Sequence, residues 1–141
     1  MRKYYLFIIT KKYFDQYKNA SYVLYRILEN LYSLKTYDFS YGLSVYKELC
    51  LPFPVKLFNN YIDNKISYKK VSTKVIQVNS LFEETYVQIN YATVILRTNV
   101  NFPQILKIFN IYSKQIFICD FDSKDYFWLN RQIKSGNFID K

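Results

Sequence analysis

Asp120, Asp122 and Asp125 form the only carboxylate cluster in this chain with catalytic spacing. An Asp-x-Asp pair beyond the carboxyl end of a strand lies where open sheets place active sites, and its oxygens suit Mg²⁺. The same string, Asp120-Phe121-Asp122-Ser123-Lys124-Asp125, is also made of residues that turn a chain by bonding their own backbone. Lys124 sits inside the cluster, so a turn is the expectation, and neither metal nor cofactor is assigned. Other routes to catalysis are thin. With no His, the usual general base and every Ser-His or Cys-His pair are missing. Gly42 and Gly136, the two glycines, are too far apart for a phosphate-binding loop. Cys50 and Cys119 are expected to be reduced, buried small hydrophobes.

Binding chemistry is better represented. Tyr13, Phe14 and Tyr17 are expected on one short helix, where Phe14 is rotated by about 100° from Tyr13, so the three rings cannot all face a core. At least one ring should reach the surface, and exposed Tyr is a preferred anchor of protein interfaces. Aromatic residues interleaved with cations at Tyr22 to Arg26 and Tyr61 to Lys70 suggest a second function, nucleic-acid binding by base stacking and phosphate contact. The net charge of +9, with its densest cluster at Lys65, Lys69, Lys70 and Lys74, suits any acidic partner. Phe, Tyr, Ile, Asn and Lys supply 71 of the 141 residues, and AT-rich coding favours all five. Much of the aromatic and lysine excess is therefore background. No RNA-recognition, KH or helix-turn-helix signature is present.

These residues need elements to hold them. Tyr4 to Ile9 is a short apolar, β-branched and aromatic run, suited to a strand buried on both faces. It is too short for a signal-peptide core of about 7–15 residues or a membrane span of about 20. Thr10 is placed to cap the Tyr13–Tyr17 helix. A second helix after Ser21 has Val23, Ile27, Leu31 and Leu34 as its buried stripe, widened by Leu24 and Leu28. A third, from Leu43 to Cys50, ends at Pro52-Phe53-Pro54, and Leu57 to Ile62 suits a further helical turn or two. Val71, Thr73 and Val75 alternate as a strand. A second strand takes Val87, Ile89 and Tyr91 and runs on through Thr93 to Leu96, antiparallel to the first across the link Asn79 to Glu84. Pro103 precedes a helix whose buried face is Ile105, Ile108, Phe109 and Tyr112. Gln115 to Phe121 reads as a central strand that pairs with Tyr126 to Leu129. The order predicts an α+β fold, a single domain over residues 1–141 with helices packed on a mixed, mostly antiparallel β-sheet.

Both ends of the chain resemble the SirA family, the sporulation inhibitors of replication. The specific part is Asp120-Phe121-Asp122-Ser123-Lys124-Asp125-Tyr126-Phe127-Trp128-Leu129-Asn130, with Asn137-Phe138 after it. Arg2-Lys3-Tyr4-Tyr5-Leu6-Phe7-Ile8-Ile9 followed by the Tyr13–Tyr17 helix matches at the other end, and Pro52-Phe53-Pro54 fits the family's Pro-x-Pro. Together these passages cover about a third of the chain. The family continues Trp-Leu-Asn with Pro, where this chain has Arg131. The resemblance implies a small cytoplasmic protein of endospore-forming bacteria, without catalysis, cofactor or membrane, that binds the N-terminal domain of the initiator DnaA and blocks new rounds of replication. It implies a partner-binding surface on the first helix and a neighbouring one. That surface maps onto Tyr13 and Tyr17, with Val45 and Glu48 beside them; the surface-ring argument adds Phe14. A monomer is expected, and direct nucleic-acid contact is not. The Asp120 to Asn130 string is read as structural, with Trp128 in the core.

Overall fold

The computed structural model describes residues 1–33, 39–54, 68–72, 75–80, 82–90 and 92–135, with the backbone alone at 39–43. Its elements are β1 (Arg2–Ile9), α1 (Lys11–Tyr17), α2 (Ser21–Tyr32), α3 (Phe39–Leu49), β2 (Cys50–Leu51), β3 (Lys69–Lys70), β4 (Val75–Ser80), β5 (Glu83–Ile89), β6 (Val94–Thr98), α4 (Ile105–Tyr112), β7 (Ile116–Asp120), β8 (Asp125–Trp128) and α5 (Leu129–Ser135). This is the α+β fold the sequence predicts, and every described strand pairing is antiparallel.

The strands run in the order β3, β4, β5, β6, β1, β7, β8. β1 is bordered by β6 and β7, and β2 pairs with its last two residues, Ile8 and Ile9. Ile8 already faces Ile116 on the β7 side, so β2 must continue the β6 side past the end of that strand. Two cores follow from the alternation of side chains along β1. Tyr4, Leu6 and Ile8 join Ile105, Leu106, Ile108 and Phe109 of α4 and Leu129 of α5. Tyr5, Phe7 and Ile9 join Leu24, Tyr25, Leu28 and Leu31 of α2 and Leu49 of α3 on the opposite face. The molecule is thus layered, with α1, α2 and α3 on one side of the sheet and α4 and α5 on the other. Each fully buried aliphatic or Phe side chain contributes about 1.5–3 kcal/mol to holding the layers together.

Several elements differ from expectation. Of the expected strand Val71 to Val75, Val71 and Ser72 lie outside any strand, their amides both donating to the carbonyl of Val75, and Val75 opens β4. The expected run from Val87 to Leu96 is two strands, because the Asn90 amide donates to the Thr93 carbonyl and folds the chain back. On α2 the buried stripe is Leu24, Tyr25, Leu28 and Leu31, rotated from the expected one, and Val23 is 47% exposed. Thr10 does precede α1, yet its hydroxyl makes no cap and donates instead to the Glu48 carbonyl at 3.4 Å. The antiparallel pairing around Asn79 to Glu84, the α4 face and the β7–β8 pair are as expected. Leu34, the Leu43 side chain, Leu57 to Ile62, Tyr61, Lys65, Thr73, Lys74, Tyr91 and Asn137-Phe138 lie outside the described residues.

Candidate partner-binding surface

The start of α1 is fastened to the end of α3. The Thr10 amide donates to the Leu49 carbonyl at 2.9 Å, the Thr10 hydroxyl donates to the Glu48 carbonyl, and the Tyr13 hydroxyl donates to Glu48 Oε1 at 2.6 Å. This joint brings Tyr13 and Glu48 together although 35 residues separate them. The carboxylate acceptor raises the Tyr13 phenol above its ordinary pKa of 10.0. One helical turn on, Tyr17 stacks on Tyr13 with centroids 6.2 Å apart and planes 8° from parallel, the i, i+4 geometry. Lys12 Nζ lies 5.2 Å from the centre of the Tyr13 ring.

Phe14 takes the other direction. Its ring meets that of Trp128 edge-on at 5.0 Å, so among the three aromatics it is the one turned toward the sheet. No residue of α1 is fully buried. Tyr13, Phe14 and Tyr17 are all half-buried over the core beneath α1, α2 and α3. Val45 lies three residues before Glu48 on α3, half-buried against that core, and Glu48 is exposed. The structure therefore brings Tyr13, Tyr17 and Glu48 into one linked group, with Val45 on the same stretch of α3 and Phe14 as the wedge beneath. Such a surface offers stacked ring area, two phenol hydroxyls and one carboxylate, which is recognition chemistry.

The sequence reading put Val23 in the buried stripe, but it is 47% exposed at the start of α2, beside Tyr22 at 60%, the ring offered for base stacking. A helical stripe shifted by one residue would have exposed Val23, and periodicity alone does not choose between the two phases.

The carboxylate cluster is a turn. Asp120 is buried; its Oδ1 accepts the Ser123 amide at 3.1 Å, and its Oδ2 accepts Arg2 Nε and Nη2 at 3.2 and 3.0 Å. Asp125 lies 3.5 Å from the same guanidinium, and Asp122 is exposed. Lys124 closes the hairpin with φ at 54°, the left-handed conformation. Arg2 thus joins β1 to the β7–β8 turn, a partnership no spacing in the sequence announces. Trp128 is buried as expected. Arg131 lies in α5, and its Nη2 donates to Asn19 Oδ1 at 3.0 Å. Both cysteines are free and buried; burial pushes the Cys50 thiol up to about 12 and raises Cys119 as well. Neither is a thiolate near neutral pH.

Among the described residues no helix is long and apolar enough to cross a membrane. No family model matches the chain, and no curated protein is significantly similar to it.

Proposed function

We propose that this chain is a non-enzymatic inhibitor of chromosome replication initiation. It acts in the cytoplasm during sporulation, as a monomer, by binding the N-terminal domain of the initiator DnaA and occluding its surface. The sequence resemblance supplies the identity of the partner. The observation that supports the location is the joint between α1 and α3, which sets the stacked Tyr13–Tyr17 pair beside Glu48. The two rings lie on each other and one hydroxyl is already bonded, so little side-chain freedom is left to lose on association. A preorganised aromatic patch of this kind suits an inhibitor that acts by covering a partner's surface.

The reading requires a 1:1 complex with the isolated N-terminal domain of DnaA. In titration calorimetry, Tyr17→Ala should lower affinity by about 30-fold, some 2 kcal/mol, while circular dichroism stays that of the native chain. Absence of any heat of binding for the unaltered chain would sink the proposal.

A further inference from the structure

The strand register builds a second surface, away from α1 and α3. Cross-strand partners share one face of a sheet at about 5 Å intervals. Lys3 of β1 faces Arg97 of β6, Arg97 faces Tyr86 of β5, Tyr86 faces Gln77 of β4, and Gln77 faces Lys69 of β3. One row about 20 Å long thus carries three cations, a phenol ring and an amide. Tyr5, two residues from Lys3, puts this row on the face that α1, α2 and α3 cover at the other end of the sheet, but among the described residues the packing there reaches along β6 only to the half-buried Ile95. Arg97 and Lys69 are exposed, and Lys3, Tyr86 and Gln77 are half-exposed.

Lys3 Nζ rests 5.4 Å from the centre of the Tyr5 ring, which leaves its charge in place. Among the described residues no carboxylate pairs with Lys3, Arg97 or Lys69. Lys3 and Arg97 stand directly opposite each other, a like-charge arrangement that opposes strand pairing and that an anion between them relieves. Glu84, the acidic neighbour on this face, accepts the Tyr86 hydroxyl at 2.6 Å and so fixes the phenol ring between the cations.

We propose that this row binds single-stranded nucleic acid, with a base stacked on Tyr86, phosphates on Lys3, Arg97 and Lys69, and the Gln77 amide available to a base edge. Stacking platforms flanked by cations on an open antiparallel sheet are how unpaired bases are held. An acidic protein segment would match the cations and leave the ring and the amide without a role. The site is separate from the surface proposed for DnaA, and its failure would leave that reading untouched.

Fluorescence anisotropy of a labelled single-stranded oligonucleotide with the full chain tests it. Binding at low salt should weaken log-linearly as salt rises. Arg97→Glu should cost about tenfold and make the salt slope shallower by about one, whereas Tyr86→Ala should cost about tenfold with the slope unchanged. Lys134→Glu, at the end of α5, should change affinity far less than Arg97→Glu despite the same change in net charge. The proposal is overturned by no binding at low salt, by equal losses for Arg97→Glu and Lys134→Glu, or by a polyglutamate peptide that binds as tightly as the oligonucleotide. Amide shifts of the unaltered chain give a second measurement that needs no variant. The oligonucleotide must move resonances around Tyr86 and Arg97, and shifts confined to α1 and α3 overturn the assignment.

Discussion

Tyr13 is held by a carboxylate on one side and an aromatic ring on the other, and its titration reports on both. The bond to Glu48 needs the phenol proton, so the folded chain favours the neutral form and the pKa is raised. The sign follows: whatever the bond contributes is fully present below the ordinary phenol value and is lost as pH rises through the raised one. Glu48→Gln should bring the Tyr13 ionisation back toward the ordinary value, read from the ring resonances of Tyr13. An unchanged midpoint in the variant would show that Glu48 is not the cause. At this scale the sequence identified Tyr13, Tyr17 and Glu48 separately. The hydrogen bond between two of them depends on how α1 meets α3. The same holds for Arg2 and Asp120, which are 118 residues apart and joined by two hydrogen bonds.

Among the elements, α4 shows how a strand residue fixes where a helix begins. Glu83, at the start of β5, is 8% exposed; its Oε1 accepts the Gln104 amide at 3.1 Å, just before α4, and its Oε2 accepts the Thr85 hydroxyl at 2.8 Å. The Thr85 hydroxyl lies 2.9 Å from that of Thr98 across the β5–β6 pair. Replacing Glu83 with Ala takes the acceptor from two donors together, the Gln104 amide and the Thr85 hydroxyl, and should lower stability by about 2 kcal/mol. A denaturation midpoint equal to that of the unaltered chain would remove this role. Element type was legible wherever a run was long or apolar on both faces, as in β1, α2, α4 and β7. Boundaries failed where backbone bonds tie near neighbours, the Val71 and Ser72 amides to the Val75 carbonyl and the Asn90 amide to the Thr93 carbonyl, because such a bond has no hydropathy signature. The edge strand β3, Lys69–Lys70, was visible as charge before it was visible as a strand, and exposed lysines are what discourage further pairing there.

For the whole molecule the decisive feature is that β1 is the wall between two cores. Leu6 and Phe7 are adjacent in sequence, both about fully buried, and belong to opposite sides of the sheet. Leu6→Ala should cost about 2–5 kcal/mol and Phe7→Ala about 3–5. Each should shift a single unfolding transition seen alike by the Trp128 signal and by far-ultraviolet circular dichroism. Two separate transitions would mean that the layers fold independently. The sequence by itself determined that the domain is α+β, that its first strand is buried on both sides, and that chemistry by His or a phosphate-binding loop is closed to it. Those properties reside in residue types and in local period. Only the tertiary structure decided which residues stand together: Tyr13 with Glu48, Arg2 with Asp120, and Lys3, Arg97 and Tyr86 in one cross-strand row. The reason is register, since each partnership joins segments distant along the chain, and strand alignment and helix docking are set by the burial of both cores at once.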